Sequence, residues 1–242
     1  MIGGQRGRAR WWFTDRQGGS SLAPFASNNL GDHVGDDPEA VHANRDRLAR
    51  TLGLPAPELW VWLRQVHGAT VLDRTGTDPR SSSLDPPPEA DAAVTTRSGL
   101  PLVVCTADCA PLLLVGDDAI GVVHAGWRGL VAGVIDETVA LLRKCGADAI
   151  HAVLGPCISP AHYTFGDAQL REIAAQFGDS VVGTTDDGAP ALNLPVGVQL
   201  ACASAGVESF SATPICTYAS ADHFSYRRDG TTGRQALIAV LT

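Results

Sequence analysis

The sequence predicts a mixed α/β fold. Short apolar runs typical of strands alternate with longer segments of helical periodicity from about residue 100 to the C-terminus. The 242 residues contain no internal repeat and are enough to bury the core of one large domain. We therefore expect a single domain that spans residues 1–242.

Apolar runs, several of them rich in β-branched residues, predict the strands. They are separated by segments rich in Gly, Pro, Asp and Ser, the longest of which, residues 73–90, predicts a surface loop. The predicted strands cover residues 59–63, 91–96, 100–105, 112–115, 119–123, 150–154, 207–210, 213–217 and 236–241.

Capping residues mark the start and end of the first helix. Asp37 followed by Pro38 is a strong helix start, because the aspartate caps free backbone N–H groups and proline fits the first helical position. Gly53 ends this helix. Helical spacing predicts three further helices, over residues 130–144, 167–177 and 194–205, and a polar loop is predicted over residues 178–193.

The composition limits the classes of function. A formal net charge of −8 argues against general nucleic-acid binding, which needs many cations to neutralise phosphates. No segment reads as a secretory signal or as an apolar membrane span, so we expect a cytoplasmic protein with no membrane partner. The six cysteines should then be reduced thiols, and none is spaced as Cys-x-x-Cys. Nothing in the sequence demands a dimer, and we expect a monomer.

Three soft metal ligands follow apolar runs at separate places in the chain. His67, Cys109 and His124 each lie close to the end of a predicted strand and beside a turn. Strand ends can converge on one crevice of an α/β fold, and Cys with two His is an acceptable zinc set that leaves a fourth position open. Because the three residues are far apart in sequence, their spacing alone also allows each histidine to be structural.

The segment after His124 is suited to anions. Gly126 and Trp127 lead from a strand into a helix, whose first backbone N–H groups are unpaired and whose dipole is positive at that end. Arg128 adds a permanent positive charge at the same place.

Four segments resemble, in the same order, the signature segments of the YfiH family, which is also called the laccase-domain or polyphenol oxidase family. Weaker similarity begins at Asn29, so the resemblance runs from there to the C-terminus. It implies a mixed-sheet layered α/β fold of the YfiH type. The four segments are Gln-Val-His-Gly at 65–68, Thr-Ala-Asp-Cys-Ala-Pro at 106–111, His-Ala-Gly-Trp-Arg-Gly at 124–129 and Phe-Ser-Tyr-Arg-Arg-Asp-Gly at 224–230.

The resemblance implies a zinc enzyme that acts on purine nucleosides. Family members are described as phosphorolysing adenosine, inosine, guanosine and methylthioadenosine, and as deaminating adenosine. The zinc ligands carry over as His67, Cys109 and His124, which would also be the catalytic residues. Asp108 would join them by orienting a ligand or moving a proton, although an aspartate in such a turn is equally typical of a turn cap.

Five residues are candidates for contacts with the nucleoside or with phosphate. Arg45 and Arg128 could hold phosphate, and Tyr226 with Arg227 could stack on the purine or bond to it. Asn29 lies in a segment similar to the family's N-terminal motif and could contact a ligand. Each assignment has a structural alternative, such as solvent exposure for Arg45, turn chemistry for Asn29 and a surface strand end for Tyr226.

Other functions compete for the same residues. In a cysteine hydrolase, Cys109 would be the nucleophile and His124 or His67 its base. Some relatives are proposed to remove a wrong amino acid from cell-wall peptide precursors, which fits this class. A copper polyphenol oxidase is less favoured, since multicopper sites need many imidazoles and the chain has seven histidines and one methionine. A closed structural zinc site is least favoured, because no fourth ligand has a matching context.

Overall fold

The computed structural model describes residues 1–76 and 86–242 of the chain. The described helices are α1 (Pro38–Leu52), α2 (Trp127–Val131), α3 (Val134–Lys144), α4 (Asp167–Phe177), α5 (Leu194–Ser204) and α6 (Tyr226–Asp229). The described strands are β1 (Ile2–Arg6), β2 (Ala9–Phe13), β3 (Val71–Asp73), β4 (Ala92–Thr95), β5 (Leu102–Thr106), β6 (Ala110–Val115), β7 (Ile120–Ala125), β8 (His151–Leu154), β9 (Val182–Thr184), β10 (Pro190–Leu192), β11 (Ser209–Ala212) and β12 (Gln235–Leu241).

Two main sheets carry the fold. The larger has the order β11-β8-β6-β7-β4-β3, and the smaller has the order β1-β2-β12-β5. In the larger sheet the outermost pairs, β11 with β8 and β3 with β4, are parallel, while the inner pairs are antiparallel. The prediction of a mixed-sheet α/β fold is therefore confirmed.

The sheets pack face to face between two layers of helix. Alternate residues of β6 and β7, such as Leu113 and Val122, meet Val104 and Leu237 of the smaller sheet in a buried apolar cluster. The opposite face of the larger sheet is covered by α3 and α5, and the opposite face of the smaller sheet by α1. Both faces of the central strands are thus buried, which explains why these strands read as continuous apolar runs rather than as alternating patterns.

Local capping chemistry places several elements where the sequence predicts them. Helix α1 begins after Asp37, whose side chain accepts a hydrogen bond from the amide of Glu39, and it ends at Gly53 in the left-handed conformation. Helix α4 covers the predicted residues, and α5 begins at Leu194 with Asn193 as its cap. The caps of α1 and α5 act on backbone groups next to them in the chain, so the sequence alone specifies them, whereas α4 has no side-chain cap and is predicted by its apolar spacing.

The prediction of one helix over residues 130–144 was wrong. The chain forms α2 and then α3, and Gly133 separates them with a φ of 86°. This left-handed conformation is open to glycine at little cost and interrupts the helix, so the chain changes direction. The apolar spacing continues across the break because both helices bury a face against the larger sheet.

The prediction of a strand over residues 59–63 was also wrong. Only Val61 forms a bridge to a neighbouring strand, with Leu102 of β5. Trp60 and Trp62 stack with ring centroids 5.8 Å apart, and each indole N–H donates to a backbone carbonyl of the preceding segment. The aromatic composition that favours a strand here reflects packing of the two indoles over a loop.

Three further segments differ from the prediction or extend it. The hairpin of β1 and β2 was not predicted, and the predicted polar loop over residues 178–193 contains the hairpin of β9 and β10. Residues 213–217 form no regular strand, apart from one bridge between Cys216 and Cys157. Half of the predicted surface loop at residues 73–90, residues 77–85, lies outside the described residues. None of the described helices combines the length and the hydropathy needed to cross a membrane.

Candidate metal and substrate site

The structure brings together three predicted ligands from three separate segments. His67 lies in the loop before β3, Cys109 lies between β5 and β6, and His124 lies near the end of β7. One nitrogen or sulfur atom from each lies within 4.8 Å of the others, and Cys109 Sγ is 3.8 Å from His67 Nε2. The cluster runs from buried His124 to exposed His67, so one side of it remains open.

Asp91, which the sequence analysis did not identify, holds two of these three residues in place. Its fully buried carboxylate accepts hydrogen bonds from His124 Nδ1 at 2.7 Å and from the backbone amide of His67 at 2.9 Å. The amides of Gly68, at 2.7 Å, and Val66, at 3.2 Å, also donate to it. Because Nδ1 of His124 is held by the carboxylate, Nε2 faces the cluster, which is the arrangement that orients histidine ligands in metal sites.

Burial and hydrogen bonding act in opposite directions on Asp91. Burial opposes its ionisation, but the hydrogen bond from His124 and those from the amides of Gly68 and Val66 outweigh burial and lower the pKa of the carboxyl. The carboxylate is therefore charged at neutral pH. The charged form carries no proton of its own, so both of its oxygens can accept hydrogen bonds from the four N–H groups. A sequence signal for Asp91 was available: the acid lies directly before the buried apolar run of β4, where an unpaired charge is rare.

Loop geometry aims His67 at the cluster. Its φ of 61° lies in the left-handed region, which non-glycine residues seldom adopt. Gln65 fixes the same loop to β5, since its side chain donates to the carbonyl of Cys105 at 2.7 Å and accepts from the amide of Cys105 at 2.8 Å. Two sets of hydrogen bonds thus fix the loop: the side chain of Gln65 binds β5 of the smaller sheet, and the backbone amides of residues 66–68 bind Asp91.

The three ligands perturb the ionisation of one another. Burial opposes ionisation of Cys109, but the imidazoles of His124 and His67 outweigh it and lower the pKa of the thiol to about 6. Burial also opposes a charge on His124, but Cys109 and Asp91 raise the pKa of its imidazole to about 9. The thiolate, which is the form that binds metals, is therefore favoured at neutral pH.

The donor set and its spacing fit a tetrahedral metal ion. Zinc bonds of about 2.3 Å to sulfur and about 2.0 Å to nitrogen place the two ligand atoms roughly 3.5 Å apart. The observed separation of Cys109 Sγ and His67 Nε2, 3.8 Å, is close to this value. A Cβ placed on Gly126 would lie 2.7 Å from His67 Cδ2 and 3.2 Å from Cys109 Sγ, so glycine is needed for the two ligands to approach each other here.

The open side of the cluster faces a cavity of about 440 Å³. This size lies within the range of about 300–1,000 Å³ that is typical of small-molecule sites. The described residues that line it are His33, Gln65, His67, Cys105, Thr106, Ala107, Cys109, His124, Tyr226 and Arg234.

Asp108 supports the cavity wall through both of its carboxylate oxygens. Thr217 Oγ1 donates to one oxygen at 2.6 Å, and the backbone amide of Arg227 donates to the other at 2.7 Å. Its φ of 97° is unusual for a non-glycine residue. These contacts tie the turn that carries Cys109 to the start of α6, which follows the cap residue Ser225.

The predicted substrate-contact residues occupy different places. Tyr226 lines the cavity and is 62% exposed. The guanidinium of Arg227 lies 5.0 Å from the ring centre of Tyr163, and that of exposed Arg128 lies 4.5 Å from the ring centre of Trp127. Among the described residues, neither arginine lines the cavity.

Arg45 and Asn29 act beside the cavity rather than inside it. Arg45 donates twice to the carbonyl of Leu30, at 2.9 and 2.7 Å, pairs with Asp32 at 3.2 Å and stacks 3.7 Å from the ring centre of Trp62. Asn29 is fully buried and its amide makes hydrogen bonds within the loop that follows it. Both residues fix the backbone of residues 29–33 at the edge of the cavity.

The cavity also contains one cation that the sequence analysis did not identify. Arg234 lines it directly, next to Tyr226, from the loop that precedes β12. The only sequence signal is a basic residue immediately before a buried apolar strand. His33, from the loop of residues 29–33, lines the same cavity.

Comparison with known proteins places this geometry in a family. The sequence model of the family described as multi-copper polyphenol oxidoreductase laccase matches residues 10–242. The chain belongs to this laccase-domain family. The resemblance to the YfiH family is thereby confirmed, since relatives with that name are among its matches.

Several laccase-domain relatives match over nearly their whole length. A purine nucleoside phosphorylase of Corynebacterium glutamicum is 43% identical over 230 residues, which cover 93% of this chain and 91% of the relative. Purine nucleoside phosphorylase YfiH of Escherichia coli strain K12 is 40% identical over 237 residues, which cover 91% of this chain and 89% of the relative. The crystal structure of a Bacillus licheniformis protein named YfiH has a TM-score of 0.87 at 31% identity and covers 97% of this chain and 93% of that one.

Proposed function

We propose that this chain is a zinc-dependent purine nucleoside phosphorylase that also deaminates adenosine. The observation that carries the proposal is the convergence of His67, Cys109 and His124 on the wall of a cavity large enough for a nucleoside. The names of the relatives support the substrate class, because those proteins are called purine nucleoside phosphorylases. Three ligands with an open fourth position are typical of a catalytic zinc site rather than a structural one.

The metal would be held by His67, Cys109 and His124. Bound there, zinc would supply Lewis acidity next to the cavity, where it can polarise an oxygen of the substrate or of a water molecule. The chain's own contribution is to orient these ligands and to favour the form of Cys109 that binds a metal. Asp91 holds the proton of His124 on Nδ1, and the imidazoles favour the thiolate of Cys109.

The proposed main reaction transfers a ribosyl group to phosphate. An oxygen of inorganic phosphate forms a bond to C1′ of the ribose while the bond from C1′ to N9 of the purine breaks. The electron pair of that bond leaves with the purine, which takes up a proton, so the products are the free base and ribose 1-phosphate. In the second reaction, water adds at C6 of adenosine and ammonia leaves, which produces inosine.

Tyr226 is the residue best placed to contact the purine. Its ring lines the cavity and is largely exposed there, as expected for an aromatic surface against which a base can stack. Arg45 and Asn29 act as positioning residues, since they fix the loop of residues 29–33 beside the cavity. We assign Asp108 and the backbone amide of Arg227 to holding the wall that carries Cys109. The accepted nucleosides would be adenosine, inosine, guanosine and methylthioadenosine.

Product analysis tests the proposal directly. The zinc-loaded protein is incubated with adenosine, with and without phosphate, and the products are separated. Adenine and ribose 1-phosphate are expected only when phosphate is present, and inosine is expected in both cases. Formation of none of these products would refute the proposal.

A substitution of Cys109 tests the role of the metal. Cys109→Ala removes one of the three ligands, so zinc content and both activities are expected to be lost together. Cys202→Ala is a suitable control, because Cys202 is a buried cysteine of α5 that takes no part in the cavity lining among the described residues. Full activity of Cys109→Ala would contradict the assignment.

One observation favours a second candidate, a cysteine hydrolase. The pKa of Cys109 is lowered to about 6, and its Sγ lies 3.8 Å from His67 Nε2, as in a thiolate–imidazole pair. Such an enzyme could remove a misincorporated amino acid from a cell-wall peptide precursor. Metal analysis of protein purified without added metal separates the candidates. One zinc per chain supports the phosphorylase, a metal-free enzyme inactivated by thiol alkylation supports the hydrolase, and bound copper with phenol oxidation would support the activity in the family's name.

A further inference from the structure

We propose that Arg234 and His33 form a subsite for an inorganic oxyanion, which in the proposed reaction is phosphate. Both side chains line the cavity that contains His67, Cys109 and His124. The existence of an anion subsite stands on the geometry below, and only the identity of the anion as a co-substrate rests on the proposed function.

The guanidinium of Arg234 uses only one of its three nitrogens in hydrogen bonds to the described part of the chain. Nη1 donates to the carbonyls of Thr232 and Gly233, each at 3.0 Å, which anchors one corner of the group. Within residues 1–76 and 86–242, its Nε and Nη2 groups donate to no protein atom, and no carboxylate lies within ion-pair distance. These two donors form the fork that binds two oxygens of a phosphate or carboxylate at once.

This lack of an acidic partner sets Arg234 apart from arginines nearby. Arg45 pairs with Asp32 at 3.2 Å, and Arg228 pairs with Asp229 at 2.8 Å. Arg234 is half-buried, and this partial burial lowers the pKa of its guanidinium. An anion in the cavity would supply the counter-charge that a guanidinium partly removed from water usually has.

His33 and Arg234 flank the same glycine. A Cβ placed on Gly31 would lie 2.7 Å from Cγ of Arg234 and 3.4 Å from Cε1 of His33, so the two side chains are close neighbours. Asn29 holds both backbones together, since its Oδ1 accepts from the amide of Gly31 at 3.0 Å and from the amide of Arg234 at 2.8 Å. Residues that are far apart in sequence are thereby combined into one wall of the cavity.

A second chain of contacts orients His33. Arg45 pairs with Asp32, and Asp32 faces Nδ1 of His33 at 3.6 Å. The opposite ring nitrogen, Nε2, is then left to donate or accept on the other side of the ring. Arg45 therefore acts on the anion subsite through Asp32 and His33, whereas Arg234 and His33 are the residues that would contact the anion.

The test measures binding of inorganic phosphate to the zinc-loaded protein by calorimetry. Arg234→Met keeps an unbranched apolar stem but removes the guanidinium and its charge, and it should weaken phosphate binding by about tenfold or more, as for loss of a charge-assisted hydrogen bond. Phosphate binding should be weakened less in Arg234→Lys, because lysine keeps the positive charge but lacks the two parallel N–H donors of the guanidinium. Arg171→Met is the matched control, since Arg171 is exposed on α4, and it should bind phosphate like the wild type.

Separate measurements distinguish a failure of this inference from a failure of the proposed function. Arg234→Met should keep its zinc, and it should raise the KM for phosphate in phosphorolysis. If wild-type protein binds phosphate through Arg234 but produces no ribose 1-phosphate, the subsite stands and the proposed function fails. Wild-type affinity for phosphate in Arg234→Met, or no phosphate binding by the wild type, overturns the inference.

A second variant covers the case in which Arg234→Met does not fold. Gly31→Ala leaves both side chains present but adds a methyl group that must displace Arg234. Weaker phosphate binding with unchanged zinc content would support the subsite, and unchanged phosphate binding would count against it.

Discussion

Replacement of Asp91 by asparagine should disrupt the site although Asp91 never faces the cavity. The buried carboxylate accepts four N–H groups, from His124 Nδ1 and from the amides of residues 66–68. Asparagine has the same shape, but one of its two terminal atoms is an NH2 group that cannot accept. Two of the four donors must therefore lose their acceptor in either orientation of the amide.

Each orientation has a definite cost. If the NH2 group replaces Oδ2, the part-buried amides of Val66 and Gly68 are left without an acceptor, and at about 1–3 kcal/mol for each unsatisfied group the free energy of unfolding should fall by about 2–6 kcal/mol. If it replaces Oδ1, His124 can keep its hydrogen bond only by moving its proton from Nδ1 to Nε2. That proton would block the nitrogen that faces the metal, so zinc affinity should fall by about 10- to 100-fold.

Two measurements check this reasoning. Zinc affinity is measured by competition with a chromophoric chelator, and the free energy of unfolding of the metal-free protein is measured in urea. Asp118→Asn is the matched control, because Asp118 is exposed and its ion pair with Arg8 lies at the surface, so a change of no more than about 1 kcal/mol is expected. Wild-type zinc affinity and stability in Asp91→Asn would refute the role assigned to the carboxylate.

Two further predictions follow from packing and from burial. Gly126→Ala should weaken zinc binding without removing any ligand, because the new Cβ would lie 2.7 Å from His67 Cδ2 and 3.2 Å from Cys109 Sγ. The effect is measured as zinc affinity, by competition with a chromophoric chelator. Burial lowers the pKa of His223, so its stabilising contribution is fully present above the unfolded-state pKa of about 6.5 and is lost as the pH falls below it. His223→Asn should therefore reduce the loss of unfolding free energy between about pH 7.5 and about pH 5.5, by no more than about 1.4 kcal/mol per pH unit.

Each of these has its own control. Gly76→Ala is matched to Gly126→Ala, since a Cβ at Gly76 would meet no atom within 4 Å, and its zinc affinity should equal that of the wild type. Equal affinity in Gly126→Ala would show that the ligand cluster tolerates the methyl group. For the histidine, His42→Asn is the control, because His42 is largely exposed. An unchanged pH dependence in His223→Asn would contradict the prediction for that residue.

Local features of the fold were accessible from the sequence. The cap at Asp37, the glycine that ends α1 and the spacing of α4 act through neighbouring residues, so the structure repeats what the sequence predicts. Similarity of the motifs to those of a known family identified His67, Cys109 and His124, the candidate metal ligands that the structure brings together. The errors came where local pattern and tertiary packing disagree, as at Gly133, where helical spacing continues through a break.

What the sequence by itself determined was therefore the class of fold, the capped helices and a set of candidate ligands. Only the tertiary structure decided how these residues are held. Asp91 and Arg234 act through contacts with residues far along the chain, and the sequence shows only that each precedes a buried strand, not which residues it contacts. The same holds for the two sheets, whose central strands are buried on both faces: a continuous apolar run records burial, but the partner on each face is set only when the layers pack.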